Sequence, residues 1–345
     1  MKEIPGISVI LLDINMPKKD GLTFLKELNG MNNPTVKVVM VTAFGDMENI
    51  RAAMNGGAFD FLTKPIDFEV LEITIQKALK QVELVEEALK LRDEKIANDK
   101  ELEDAARIQQ AMLPHTFPPF PGHNEFSIYG KMIPAKKVGG DFYDFFFIDE
   151  NRLALVIGDV SGKGISAVLY MVKSCTLLKT MASRIIHPGE CLRMLNNRFF
   201  REKEKDSNIS VTIFYGILNI KTGLVQYSCG GHPAPYVVRA NGEVEQLPQV
   251  EEFPLAFFEN CEYEVERIQL GKGDTIFSYT DGVTDAENTL GHGFDDGEKR
   301  LQTFLEGTHT ASLEEIANRL ITEINRFMGD EPQMDDITLL ALRYN

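Results

Sequence analysis

The stretch Gly158–Gly164, which reads Gly-Asp-Val-Ser-Gly-Lys-Gly, directly follows the apolar run Leu153–Ile157. It therefore places an acidic residue, Asp159, where a strand-sized core segment meets a glycine-rich turn. An unpaired carboxylate at the edge of a core is costly, and a bound cation offsets that cost. Mg²⁺ and Mn²⁺ prefer such oxygen ligands. The stretch predicts a metal ligand at the end of a β-strand, although a single motif of this kind also fits an ordinary turn.

Three further acidic motifs border apolar runs in the same part of the chain. They are Gly139–Asp144 (GGDFYD), Tyr279–Asp285 (YTDGVTD) and Asp335–Thr338 (DDIT). Several carboxylates with free water positions can hold two metals about 3.5–4 Å apart, and a water shared by the metals is acidified into a nucleophile. The glycines beside Asp159 and Asp281 would let the backbone or a substrate approach closely. The four motifs together predict a two-metal hydrolytic site.

The residues of these motifs and their order along the chain resemble those of the metal-dependent protein phosphatase family (PPM, type 2C). The resemblance is specifically to its SpoIIE-like branch, which regulates sigma factors. The resemblance covers roughly residues 105–345, and it includes Ala106–Pro114 as the entry segment and Gly231–Pro235 as a typical turn. It implies an α+β fold, with a β-sandwich flanked by helices. It also implies hydrolysis of protein phosphoserine or phosphothreonine without a covalent phosphoenzyme.

The resemblance also implies a role for each acid and two bound Mn²⁺ or Mg²⁺ ions. Asp159 would bridge both metals and, with Asp141, form the catalytic centre. The other implied ligands are the Val160 backbone carbonyl, Asp281, and one of the adjacent pair Asp335 and Asp336, with Asp335 preferred. Lys163 lies in a turn where eukaryotic relatives have a histidine, so a general acid is not evident. His232 is the nearest motif histidine, and a structural role in its turn is the favoured interpretation.

The substrate implied by the branch is a phosphorylated anti-sigma-factor antagonist. An alternative is a catalytically inactive adaptor that uses the phosphatase fold only to bind a partner, but acids remain at all four motifs. A third reading, hydrolysis of small phosphoesters at the same site, has little in its favour.

The N-terminal region, residues 1–80, alternates apolar strands with helical segments and predicts a partial doubly wound parallel α/β sheet. Asp13, Thr42 and Lys64 lie at three successive strand ends, which predicts a phosphoryl-accepting site with Asp13 as the acceptor. The pattern resembles the response-regulator receiver family, here without its first strands. The resemblance implies an upstream histidine kinase, an aromatic switch at Phe61 and a cis peptide bond before Pro65.

Residues 68–113 contain neither glycine nor proline, which predicts one long helical linker between the receiver and a phosphatase domain at 114–345. The linker carries a rough heptad of apolar residues, which favours a dimerising coiled coil and a homodimer. The heptad positions are Leu71, Ile75, Ala78, Val82, Val85, Leu89 and Ile96. The alternative is an amphipathic helix packed on its own domain.

Bulk composition narrows the partners and the compartment. The formal net charge is −16, which is unfavourable for contacts with nucleic-acid phosphates. The apolar runs are too short to cross a membrane, and the first residues do not resemble a signal peptide. The four cysteines are scattered, which fits a reducing compartment. We therefore expect a cytoplasmic protein that binds neither nucleic acid nor membrane.

Overall fold

The structure is a computed structural model that describes residues 6–43, 45–162, 164–203, 209–248, 253–297 and 299–345. The chain divides into two compact units, residues 1–100 and residues 101–345.

The first unit is built on a parallel three-stranded sheet in the order β1-β2-β3. Its elements are β1 (Val9–Asp13), α1 (Gly21–Gly30), β2 (Lys37–Ala43), α2 (Met47–Asn55) and β3 (Asp60–Lys64). The register pairs Asp13 with Val41 and Ala43 with Lys64, so Asp13 and Lys64 end at the same edge of the sheet. The parallel α/β sheet of a receiver is confirmed, and the Lys64–Pro65 peptide is cis as predicted.

Short polar side chains start both helices of this unit. Asp20 caps α1 by accepting a hydrogen bond from the Thr23 N–H at 2.7 Å, and Asp46 caps α2 through the Asn49 N–H at 3.4 Å. Each cap satisfies a backbone donor that the first turn of a helix leaves unpaired. The apolar faces of the helices then pack on the sheet in a core that includes Leu25 and Met40.

The predicted linker is one continuous helix, α3 (Phe68–Met112), which begins in the first unit and ends in the second. The predicted heptad positions of this helix do not form a single exposed surface. Ala78 and Val82 are 0% and 3% exposed within the chain itself, so they are already packed and are not available to a second copy. Their burial favours the amphipathic alternative for this part of the helix, and the coiled-coil dimer remains a prediction. Further along, Leu91 and Ile96 remain exposed.

The second unit contains two antiparallel five-stranded sheets, with strand orders β10-β9-β12-β13-β4 and β11-β8-β7-β6-β5. The strands are β4 (Phe126–Ile133), β5 (Phe142–Asp149), β6 (Arg152–Val160), β7 (Val211–Asn219), β8 (Leu224–Gly230), β9 (Tyr236–Val238), β10 (Val244–Gln246), β11 (Glu266–Gln269), β12 (Thr275–Tyr279) and β13 (Ile337–Tyr344). The sequence pattern does not predict β5, β10 or β11 as strands. The aromatic-rich β5 was treated only as an acidic motif, and the other two are three and four residues long.

Helices cover both outer faces of this sandwich. They are α4 (Ile165–Ala182), α5 (Pro188–Glu202), α6 (Asp281–Thr284), α7 (Arg300–Leu305) and α8 (Leu313–Met328). One core joins the two sheets with α4 and α5, and a second core lies between the other face and α7 and α8. The predicted β-sandwich flanked by helices is confirmed.

Among the described residues, α4 is the one helix long and apolar enough to cross a membrane by composition. Three of its residues, Ala167, Met171 and Leu178, are part of the core that joins the sheets. We therefore interpret α4 as a core helix.

Candidate metal centre

The four acidic motifs meet at one end of the sandwich, two from each sheet. Asp141 directly precedes β5 and Asp159 lies near the end of β6, in antiparallel strands that pair Phe142 with Gly158. Asp281 follows β12 as the first residue of α6, and the pair Asp335–Asp336 directly precedes β13. The side chains that the motifs predicted as neighbours are thus brought together by strand pairing and by the stacking of two sheets.

Asp141 is the deepest of these acids, with only 1% of its surface exposed. Burial raises its pKa well above the usual value, and the charge of Asp159 raises it further. Hydroxyl groups act in the opposite direction: the Thr280 hydroxyl donates to Asp141 Oδ2 at 2.7 Å, and Thr338 also lowers the pKa. The Thr280 hydroxyl accepts from the Thr338 N–H at 3.0 Å. The Thr280 hydroxyl, itself held by the Thr338 N–H, fixes the orientation of the Asp141 carboxylate.

Asp159 lies at the centre of the cluster. Burial raises the pKa of Asp159 to about 7, and the charges of Asp281 and Asp335 add to the effect. Partial burial likewise raises the pKa of Asp281, and the charges of Asp335 and Asp285 raise it further. Carboxylates that raise one another's pKa are a group that a bound cation would stabilise.

The two adjacent acids before β13 have different surroundings. Asp336 is buried, and its carboxylate accepts hydrogen bonds from the backbone N–H groups of Ala135 at 2.9 Å, Gly140 at 2.7 Å and Asp141 at 3.4 Å. Asp335 is exposed and its charge acts on both Asp159 and Asp281. Asp336 therefore holds the backbone of the first motif. Both acids line the same small cavity beside Asp159 and raise its pKa, and the effect of Asp335 is the larger one.

Two glycines allow this close packing. A Cβ on Gly140 would lie 2.5 Å from the Val160 carbonyl oxygen and 3.1 Å from Asp159 Oδ1. A Cβ on Gly282 would collide with the Asp336 carbonyl oxygen. The expectation that the glycine beside Asp281 permits close approach is confirmed.

The cluster suits cations that keep part of their water shell. Among the described residues, no three His, Cys, Asp or Glu side chains form a ready-made cage for one ion. Mg²⁺ commonly uses only one or two carboxylates and retains several waters, so a closed cage is not required. A cavity of about 20 Å³ is lined by Gly140, Asp159 and Asp335 among others, which is room for about one water molecule. The donor set consists of hard oxygens, and the residues fit divalent cations of this type.

His232 is fully buried, as its predicted structural role requires. Burial lowers its pKa to about 3, and its Nδ1 lies 3.0 Å from the Thr212 hydroxyl. A histidine that stays neutral at physiological pH is not a proton donor for a leaving group. Lys163, in the turn where the eukaryotic relatives have a histidine, lies outside the described residues.

In the first unit, the structure brings two of the three predicted phosphoryl-site residues together. Lys64 Nζ forms an ion pair with Asp13 Oδ2, and the Asn15 N–H donates to Asp13 Oδ1 at 3.0 Å. The Thr42 hydroxyl lies at the same sheet edge, and its hydrogen bond goes to Asp46 at 3.5 Å. Phe61 is partly buried against the core of this unit.

Three residues that contribute to the metal centre were missed as site residues. Thr280 and Thr338 lie inside the acidic motifs, beside Asp281 and two residues after Asp336. Their closeness to the acids in sequence could have identified them as site residues. Gln109 stands in the quoted entry segment, and its side chain bonds both polar backbone groups of Gly139. Nothing in the local sequence distinguishes Gln109 from the adjacent Gln110.

Comparison with known families matches both units. The profile of stage II sporulation protein E (SpoIIE) matches residues 149–345, and that of the response regulator receiver domain matches residues 3–76.

Individual relatives cover most of this chain. Protein IcfG of Synechocystis is 28% identical over 277 residues, which are 72% of this chain but only 42% of IcfG. Phosphoserine phosphatase RsbU of Bacillus subtilis is 29% identical over 244 residues, 70% of each protein. The SiaA-PP2C domain of Pseudomonas aeruginosa superposes with a TM-score of 0.63 at 21% identity, covering 74% of this chain and 99% of that domain. The last similarity establishes the fold alone.

Proposed function

The chain belongs to the SpoIIE family, and from this premise we propose that it is a metal-dependent phosphatase that hydrolyses phosphoserine or phosphothreonine in a partner protein. The observation that carries the proposal is the convergence of acids from four separate motifs at one end of the sandwich. Buried like charges are costly, and they persist where a cation or a reaction uses them. The proposed cofactors are two Mn²⁺ or Mg²⁺ ions.

The chain's own residues divide the work of holding the cations. Asp159, at the centre, would be shared by both ions, with Asp141 and the Val160 carbonyl on one side. Asp281 and Asp335 would serve the other side, and this is supported by the effect of both charges on the pKa of Asp159 and of the Asp335 charge on the pKa of Asp281. Asp336 is the weaker candidate because its carboxylate already binds three backbone N–H groups. When bound, such cations supply positive charge for the phosphoryl oxygens and lower the pKa of a coordinated water.

The proposed substrate is a phosphorylated anti-sigma-factor antagonist in the cytoplasm, which is consistent with the similarity to RsbU, a phosphoserine phosphatase. The first unit would respond to an upstream histidine kinase through Asp13, with Thr42, Lys64 and Phe61 as the responding residues. The net charge of −16 supports a protein partner rather than a nucleic acid.

We further propose that the chain forms a homodimer through the exposed part of α3. The heptad positions Leu89 and Ile96 lie on one face of the helix, Leu89 is partly exposed and Ile96 is 55% exposed, and burial of such side chains against a second copy would be favourable. Light scattering on the intact chain, and on a Leu89→Lys, Ile96→Lys variant, should give a dimer and a monomer respectively. A monomer in both cases would remove this proposal.

The second candidate function is an inactive adaptor, and one experiment separates it from the enzyme. The whole chain is freed of metal and assayed with p-nitrophenyl phosphate in the presence of Mn²⁺, with and without a chelator. We expect turnover that requires Mn²⁺ and is abolished by the chelator. No turnover at any Mn²⁺ concentration would favour the adaptor, and turnover that resists the chelator would refute the role of the metal.

A further inference from the structure

Gln109, in the last turn of α3, is a buried polar side chain with an unusual pair of partners. It is 3% exposed. Its Nε2 donates to the Gly139 carbonyl oxygen at 2.8 Å, and its Oε1 accepts from the Gly139 N–H at 3.2 Å. A primary amide that pairs with both backbone groups of one residue fixes the position and the orientation of that residue together.

The residue that Gln109 holds begins the first acidic motif. From the other side, the Asp336 carboxylate accepts from the N–H groups of Gly140 and Asp141, at 2.7 and 3.4 Å. A Cβ on Gly139 would collide with that carboxylate, so the backbone has no room to shift toward it. The segment Gly139–Asp141 is therefore held between a helix on one side and an acid on the other.

This clamp determines where the Asp141 carboxylate lies. Asp141 is 1% exposed and its Oδ2 is fixed by the Thr280 hydroxyl at 2.7 Å, so it cannot compensate for a backbone shift by turning freely. A metal site tolerates displacements of only about 0.5 Å before affinity suffers. Outer partners of metal ligands typically change metal affinity by 10–100-fold when they are removed.

We propose that Gln109 is a positioning residue of the metal centre, which sets cation affinity by holding Gly139 and, through it, Asp141. The proposal rests on the proposed function, because it requires that Asp141 bind a cation. It makes the end of α3 a structural part of the site rather than a tether that leads to it.

If Gln109 had a purely structural role, its loss would destabilise the fold without changing cation affinity. Loss of the amide leaves two buried backbone groups without partners, which lowers the melting temperature whether or not metal binds there. Thermal stability of the metal-free protein alone therefore cannot separate the two roles. Cation affinity of the folded protein can.

The test compares Gln109→Met with Gln110→Met in the whole chain. Methionine keeps the length of glutamine without its hydrogen bonds, and Gln110 is the exposed neighbour in the same turn. Mn²⁺ binding to metal-free protein is measured by isothermal titration calorimetry, with thermal unfolding recorded alongside. We expect Gln109→Met to raise the Kd for Mn²⁺ at least tenfold, and Gln110→Met to change it less than twofold. Activity toward p-nitrophenyl phosphate should recover at saturating Mn²⁺.

The possible outcomes are distinct. A lower melting temperature with an unchanged Mn²⁺ Kd for Gln109→Met would leave Gln109 with a structural role only and overturn the proposal. If Gln109→Met does not fold, Gln109→Asn decides, because it keeps both polar groups on a shorter stem. We expect this variant to have an intermediate Kd, and a wild-type Kd would again overturn the proposal. Absence of Mn²⁺ binding and turnover in the unsubstituted chain would instead refute the proposed function, and the positioning role with it.

Discussion

The two acidic sites of this chain stabilise their carboxylates in opposite ways. In the first unit, Asp13 is one-third exposed, and the hydrogen bond from Lys64 lowers its pKa, with help from the Asn15 N–H. In the second unit, burial raises the pKa of Asp159 to about 7, and the surrounding charges come from other aspartates. One site carries its own cation as a side chain, whereas the other concentrates negative charge that a bound proton or an external cation can balance.

The difference shows that the groups around an acid indicate whether it serves stability or chemistry. Asp274 in the second unit is an acid of the first kind. Burial raises its pKa, but hydrogen bonds from Arg239 at 2.8 Å and from two backbone N–H groups outweigh burial, and its pKa lies below the usual value. An acid whose partners are all supplied by the protein contributes to stability. An acid surrounded by other acids is a candidate for chemistry.

The largest effect should come from replacing the central acid. Asp159→Asn removes the charge proposed to be shared by both cations, and we expect roughly a 10³-fold loss of Mn²⁺-dependent turnover, since the cations contribute several kcal/mol of charge stabilisation. The metal-free variant should unfold at the same temperature as the unsubstituted protein or a higher one, because like-charge repulsion is reduced. Turnover of p-nitrophenyl phosphate and thermal unfolding measure the two effects. Near wild-type activity of this variant would break the two-metal assignment.

The matched control is Asp274→Asn, which should lower thermal stability and leave turnover largely unchanged. We expect turnover to persist at temperatures where the protein is folded, and stability to fall by about 1–3 kcal/mol, because hydrogen bonds to a charged group are lost. The pKa of Asp274 is depressed in the folded state, so its contribution is present above the unfolded pKa of about 3.9 and is lost as pH falls through the lower folded pKa. The variant's deficit at pH 7 should therefore shrink in acid. A deficit independent of pH would contradict this account.

We also predict that the two sites communicate through α3, so that turnover depends on the length of this helix. Each residue inserted between Arg92 and Asp99 rotates the far end of a rigid helix by about 100°, so seven residues nearly restore the original facing. We expect turnover to vary several-fold across insertions of one to seven residues and to recover at seven. Assays of the insertion series at saturating Mn²⁺ measure this. A flat series would show that α3 only tethers the two sites.

The smallest effect concerns the site that carries its own cation. Lys64→Ala removes the main cause of the depressed Asp13 pKa, so that pKa should rise toward the usual value of about 3.9. The effect on unfolding should stay below about 1 kcal/mol, because an exposed ion pair contributes little. Carboxyl titration by NMR measures the pKa. An unchanged Asp13 pKa would mean that the Asn15 N–H alone accounts for its depression.

Prediction from sequence succeeded where a local pattern carries the information. Apolar runs that end in acids located β6 and β12. It failed for β5, whose aromatic residues give no clear alternation. The heptad pattern includes Val82 in a coiled-coil surface, whereas the side chain is buried within its own chain. Periodicity identifies an apolar face but not what covers that face.

The sequence by itself determined which acids and glycines are candidates for the metal centre, because each lies at the junction of a core strand and a turn. Only the tertiary structure decided between adjacent or equivalent residues. Asp335 faces Asp159 and Asp281 while Asp336 turns to the backbone of Gly140, and Gln109 is buried against Gly139 while Gln110 is exposed. Neighbours in sequence point in different directions, and the role of each depends on which distant segment the packing of two sheets and a helix brings against it.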